Sequence, residues 1–139
     1  MKVEEFDFEK IINNPKCLDD YSEKMSMMFT DIKDGEATAV LTIQPWQVNP
    51  LGSLHGGVLF SLADIVAGTA ATAGGVKVTT LDSQISFLAP ALLERTKTVT
   101  AYGKRIKAGK TIQVMETEIY DEEKRLITKA SFTFFVMKA

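Results

Sequence analysis

Apolar and polar residues alternate with a period of two along most of the chain, and one long stretch breaks the rule. Residues 36–43 set Ala37, Ala39, Leu41 and Ile43 against Glu36, Thr38 and Thr42. Residues 78–88 set Leu81, Ser83, Ile85 and Phe87 against Thr80, Asp82, Gln84 and Ser86, and Pro90 closes the run. Residues 96–106, 110–120 and 125–137 continue the pattern, the last with Leu126, Ala130, Phe132, Phe134 and Val136 on one parity. A period of two predicts strands with one buried face. Residues 26–33 form a further predicted strand, joined to 36–43 by the two-residue hairpin signal Asp34-Gly35. Ahead of them Phe8, Ile11 and Ile12 share one side of a short helix over 6–13, within about 5–14. Asn13-Asn14-Pro15 ends it, because a residue before proline disfavours the helical region.

The exception is the nearly continuous apolar run 54–76. Its length resembles that of a membrane span. Gly56, Gly57, Gly74 and Gly75 lie near its ends, however, and Asp64 lies near its middle, where lipid would penalise a charge. The run therefore predicts a buried helix from about 56 to 73, stopped by Gly74-Gly75. Leu59, Leu62, Val66 and Ala70 occupy one side, and Ala63, Ile65, Ala67 and Thr69 the others, so this helix has to be surrounded. A curved antiparallel sheet wrapped round it meets that need. The predicted class is α+β, one domain over residues 1–139.

Composition narrows the partners. The chain has 139 residues, 45% hydrophobic and 24% charged, with a formal net charge of -2. That excludes a disordered chain and a protein held to nucleic acid by bulk charge. The single cysteine, Cys17, allows no internal disulfide and no paired-cysteine metal site, and reads as a reduced thiol without function. Residues 1–7 are acidic and lack the apolar core of a secretory signal, so the expected location is cytoplasmic, with no membrane partner.

The polar oddities gather in one segment. His55, the only histidine, stands where loop 44–53 gives way to the helix, and Gly56-Gly57 follow it. Glycines are poor helix residues, but at a helix start their free N–H groups and missing side chains suit close approach of a ligand and of a developing oxyanion. Asp64 interrupts the apolar helix, and a carboxylate there has to be paired or functional. It suits a general base or a nucleophile, although bonding to neighbouring hydroxyls would also explain it. Nine residues separate His55 from Asp64, which places them on nearly opposite faces with an axial offset of roughly 13 Å. If both serve one site, Asp64 has to reach across a two-fold axis to a partner's helix start, which predicts a dimer with two composite sites.

Asn49, six residues before His55-Gly56-Gly57, and then Asp64 together resemble the signature of the hotdog-fold thioesterases. The type most similar is the phenylacetate-degradation acyl-CoA thioesterases of the 4-hydroxybenzoyl-CoA thioesterase superfamily. Residues 83–91 look like that family's strand ending at a proline turn, and residues 101–111 resemble its next hairpin. The likeness spans roughly residues 17–136. It implies the hotdog fold and hydrolysis of a small aromatic or short-to-medium acyl-CoA to free acid and CoA. It implies no metal and no cofactor beyond the CoA of the substrate, and a homodimer that forms the site, within a homotetramer. By the same resemblance Gly56 would donate its N–H to the thioester carbonyl, and His55 would hold that end. Asn49 would position the water or the leaving sulfur. Asp64 of the partner chain would be base or nucleophile. Thr80, ten residues before Pro90, would assist the water, with Ser83 the second choice.

Substrate contacts follow more loosely. Gly57 leaves room for the ligand. Lys104, Arg105, Lys107 and Lys110 cluster in hairpin 102–111, where Gly109 adds open N–H groups, and the family places this hairpin near the CoA nucleotide. Trp46 is expected on the acyl group, in the core or at an interface, and Met25, Met27 and Met28 facing the core or an interface. Two alternatives stand beside the thioesterase: a hotdog dehydratase or hydratase, and a non-catalytic acyl-CoA-binding protein.

Overall fold

The apolar helix forms where its sequence places it, and the rest of the chain is arranged to cover it. The computed structural model describes residues 7–137. Two short helices, α1 (Phe8–Ile11) and α2 (Asp20–Lys24), precede β1 (Met27–Lys33) and β2 (Glu36–Thr42). The long helix α3 (Gly56–Thr72) follows, then β3 (Lys77–Phe87), β4 (Thr98–Ala108), β5 (Ile112–Tyr120) and β6 (Leu126–Met137). All six strands join one antiparallel sheet in the order β1-β2-β4-β5-β6-β3. This is the α+β arrangement expected from the pattern.

The sheet wraps α3 through a buried contact that mixes small and large apolar side chains. Leu59, Leu62, Ala63, Val66, Ala67, Ala70 and Ala71 are buried on the helix, against Ala39, Leu41, Ala101, Met115, Phe132 and Phe134 on the strands. Each large aliphatic or aromatic side chain buried there contributes about 1.5–3 kcal/mol. At Gly103 on β4 a Cβ would stand 2.9 Å from Val66 Cγ1, so glycine is required for the helix to come this near. The buried Thr117 hydroxyl of β5 donates to the Ala63 carbonyl at 3.0 Å, tying the helix to the sheet one residue before Asp64. Gly75, with φ of +93°, ends the helical region as predicted.

Three expectations are corrected. The N-terminal helix has only four residues, and the part of its expected range at 5–6 lies outside the described residues. A second helix, α2, was not expected. Asp19 caps it by accepting from the Ser22 N–H at 3.1 Å, and five residues are too few for a periodic signal. Trp46, in the 3-10 turn Pro45–Gln47, is 65% exposed, which excludes the core and leaves the acyl group and an interface of its three expected surroundings. Met25 and Met27 are buried as expected, and Met28 is half-buried.

The two sheet edges differ. Along β1, Ile12 makes a parallel bridge to Phe29, and the Asn13 N–H donates to the Phe29 carbonyl at 2.7 Å, so the N-terminal segment covers that edge. Along β3, eleven residues long, no second neighbour pairs among the described residues.

Candidate active site

A β-bulge decides what reaches the helix from β3. The pairing of β3 with β6 slips between Thr80 and Asp82, leaving Leu81 as the extra residue. Thr80 then stands opposite buried Phe134, Ser83 opposite buried Phe132, Ile85 opposite buried Ala130 and Phe87 opposite buried Thr128. Thr80 therefore shares the inward face with Ser83, Ile85 and Phe87. Simple alternation had put Thr80 on the opposite parity and Leu81 inward; Leu81 is instead 57% exposed.

The inward Thr80 meets Asp64. Its hydroxyl donates to Asp64 Oδ1 at 2.9 Å, across sixteen residues of sequence. Asp64 is half-buried and lines a cavity of about 750 Å3, as does Thr80. One carboxylate oxygen is thus held by a hydroxyl while the group stays open to a ligand. Ser83, three positions along the same face and half-buried, makes no hydrogen bond to Asp64, whereas Thr80 does.

The other half of the expected site lies at the start of α3. His55 is the N-cap, in an extended conformation (φ -56°, ψ 139°), and its side chain is exposed. Its backbone is fixed by donation from the His55 N–H to the Gln47 carbonyl at 2.9 Å. The His55 carbonyl accepts from Val58 and Leu59, while the N–H groups of Gly56 and Gly57 have no acceptor among the described residues. A Cβ on Gly57 would meet nothing within 4 Å, so its approach is open. Gly56 is covered differently: the Phe87 ring lies 3.2 Å from where its Cβ would be. Phe87 was not singled out in the sequence, since a strand-end aromatic carries no signal of the surface it covers.

Asn49 is occupied within its own loop. Its Oδ1 accepts from the N–H groups of Leu51 and Ser53 at 3.0 and 3.1 Å, and its Nδ2 donates to Ser53 Oγ at 2.9 Å. The side chain shapes the loop leading to His55. Within one chain, Asn49, His55 and Gly56 gather at one end of α3, and Asp64 with Thr80 two turns further on. A single chain does not bring the two groups together.

The basic hairpin divides as well. Arg105 donates to Asp34 Oδ1 at 2.7 Å and to Gln113 Oε1 at 2.9 Å, so its guanidinium joins the β1–β2 turn to the sheet. The Gly109 N–H donates to the Ile112 carbonyl at 2.7 Å and is not the open donor expected. A Cβ on Gly109 would lie 2.7 Å from the Ile112 oxygen, which explains the glycine sterically. Lys104 pairs in register with Glu36 and Glu116 on its neighbouring strands. Lys107 and Lys110 are exposed. Cys17 is exposed and accepts from Asn14 Nδ2 at 3.1 Å. Among the described residues no cluster of three or more His, Cys, Asp or Glu is placed to hold a metal. No described helix is long and apolar enough to cross a membrane.

Comparison with known proteins identifies the family. The family model of the thioesterase superfamily matches residues 51–128, a stretch that includes His55, Gly56, Asp64 and Thr80. A putative esterase of Haemophilus influenzae is 32% identical over 102 residues, covering 71% of this chain and 72% of that protein. The acyl-coenzyme A thioesterase PaaI of Escherichia coli is 31% identical over 94 residues, covering 68% and 66%. The crystal structure of a hypothetical thioesterase from Streptococcus pneumoniae with coenzyme A superposes with a TM-score of 0.76 at 30% identity, covering 80% of this chain and 85% of that one. That protein has also been solved with an aspartate, and separately a threonine sixteen positions later, replaced by alanine. With a family match across more than half its length, the chain belongs to the thioesterase superfamily and is a thioester hydrolase.

Proposed function

We propose that the chain hydrolyses acyl-CoA thioesters at a site shared between two subunits. The observation that carries the reading is the Thr80–Asp64 hydrogen bond inside the cavity. It fixes Oδ1 and leaves Oδ2 as the base. The sixteen-residue separation of Asp64 and Thr80 equals that of the aspartate and threonine replaced in the Streptococcus pneumoniae thioesterase, and that protein was solved with coenzyme A.

The unpaired edge of β3 supplies the second subunit. A long exposed edge strand is an association hazard unless covered. Thr80 lies beside Asp64, and Phe87 beside Gly56. Antiparallel pairing of β3 with its own copy, centred between Ser83 and Gln84, sets each Thr80 opposite Phe87 of the partner subunit. Asp64 then faces Gly56 of the partner subunit, which no contact within one chain achieves.

In that site water attacks the thioester carbonyl carbon while Asp64 takes its proton. The free N–H of Gly56 of the partner subunit stabilises the oxyanion as the tetrahedral intermediate forms. The carbon–sulfur bond breaks, the CoA sulfur leaves as thiolate or takes up the proton, and the carboxylic acid is released. Asn49 and His55 position the loop and helix start that carry the donor. Lys107 and Lys110 attract the phosphates of CoA. In this reading the protein acts in the cytoplasm, with dimers paired into a homotetramer.

The test is thiol release from a panel of acyl-CoAs, with mass determination in solution. The expected result is turnover of at least one ester by a species of two or more chains. Tight acyl-CoA binding without thiol release would instead favour a non-catalytic acyl-CoA-binding protein.

A further inference from the structure

The cavity that Asp64 lines continues away from the helix start, and its walls describe what it holds. It occupies the seam where the two sheet edges approach each other around α3, since Phe29 of β1 and residues 78–80 of β3 both line it. One wall is a single face of α3: Asp64, Gly68 and Thr72, spaced by four, with Ile65 and Thr69 beside them. The N-terminal segment roofs it with Ile11 and Leu18, and Phe134 lies beneath. The Thr69 hydroxyl is spent on the Ile65 carbonyl at 2.8 Å, and Ser22 donates to Asp19, so neither presents a free donor. The charges at the cavity are Asp7, Lys10, Asp19 and Asp64, and Lys10 already lies 3.8 Å from Asp7.

Gly68 stands out in this wall. A glycine inside a helix is unfavourable relative to alanine. No turn or positive φ explains it, and a Cβ there would make only ordinary contacts of 3.8 Å with the Phe134 ring. Nothing in the fold forbids a side chain at 68; what one would take up is cavity.

We propose that this seam cavity seats the acyl group of the substrate, that Gly68 sets how large that group can be, and that the preferred acyl group is uncharged and bulkier than acetyl. The proposal rests on the acyl-CoA hydrolase reading. The thioester carbon sits at Asp64, the acyl group runs along α3 towards Thr72, and the CoA arm leaves in the other direction. A volume of about 750 Å3 lies in the range of pockets that enclose drug-sized ligands and far exceeds a two-carbon group. The acidic balance of its walls disfavours a second carboxylate, as in succinyl-CoA.

The experiment compares wild type with Gly68→Ala, Gly68→Leu and, from the opposite wall, Leu18→Phe. Each is assayed for kcat/KM on acetyl-, butyryl-, octanoyl-, benzoyl- and succinyl-CoA. Binding of inert thioether analogues carrying ethyl and octyl groups is measured alongside. Gly68→Ala favours the helix, so folding is retained in at least one variant. Wild type is expected to favour octanoyl- or benzoyl-CoA over acetyl- and succinyl-CoA. Gly68→Leu is expected to lower the octanoyl-to-acetyl ratio by about tenfold or more, with Gly68→Ala intermediate and Leu18→Phe acting in the same direction. The octyl analogue should weaken in parallel. A uniform effect on all esters, or none, would overturn the proposal. If no ester turns over but the octyl analogue binds in a Gly68-dependent way, the hydrolase reading fails and the cavity assignment stands.

Discussion

Removing one hydroxyl tests how Asp64 is held. Thr80→Val keeps the shape of the side chain and deletes the donor that meets Asp64 Oδ1 at 2.9 Å. A hydrogen bond to an ionised group is worth about 1.5–3 kcal/mol. If that energy orients the carboxylate for proton abstraction, kcat falls by about 10–150-fold, each 1.36 kcal/mol being tenfold in rate. Stability should change by no more than about 1 kcal/mol, because Thr80 is not part of the buried core and valine suits a strand. Initial rates of thiol release over a range of substrate concentrations separate kcat from KM, and urea unfolding supplies the stability control. Thr80→Ser, which keeps the donor, should retain most of the activity. Wild-type turnover by Thr80→Val, a loss confined to KM, or an equal loss in Thr80→Ser would refute the reasoning.

Other perturbations follow from the same contacts. Gly103→Ala should destabilise the protein by about 1–3 kcal/mol, read by urea unfolding, because its Cβ would press on Val66 at 2.9 Å. Arg105→Met should cost about 1 kcal/mol with KM unchanged, since its partner Asp34 is largely exposed and the guanidinium is committed to structure; Lys107→Ala with Lys110→Ala should instead raise KM and reduce its salt dependence. In the β5–β6 turn burial works against the Asp121 carboxylate, but the N–H groups of Arg125 and Glu123 and the Arg125 side chain outweigh it and hold its pKa below the usual range. Its contribution is complete above the unfolded value near 3.9 and is lost as pH falls through the lower folded value. Asp121→Asn should therefore show a smaller drop in Tm from pH 6 to pH 3 than wild type; parallel curves would contradict this.

What the sequence could reveal depended on range. The central helix, its stop at Gly74-Gly75 and the Asp34-Gly35 hairpin are local, and each is written in neighbouring residues. Asp64 was legible because a carboxylate in an apolar helix conflicts with its surroundings. The facing of Thr80 was not legible from alternation, because the bulge at Leu81 reverses parity and no residue there announces it. The commitment of Arg105 to Asp34, 71 residues away, depends on the closed sheet, as does the covering of Gly56 by Phe87. The cavity wall was half visible: Gly68 is an unexplained glycine in a helix, but its meaning needs the seam beside it.

The most direct measurement tests the sharing of one site by two chains. Gly56→Pro removes the expected oxyanion donor at a helix-start position that favours proline, the extended His55 before it allows one, and the exposed Phe87 ring, 3.2 Å from where a Cβ would be, has to shift aside. Removing one such donor costs about 100–1,000-fold in kcat, and removing the Asp64 base with Asp64→Asn about 100–10,000-fold. The two variants, co-expressed with different tags and purified as the heterodimer, should recover about half of wild-type thiol release, since one of the two sites keeps both groups, Asp64 from the Gly56→Pro chain and Gly56 from the Asp64→Asn chain. A heterodimer no more active than its parents would contradict the shared site.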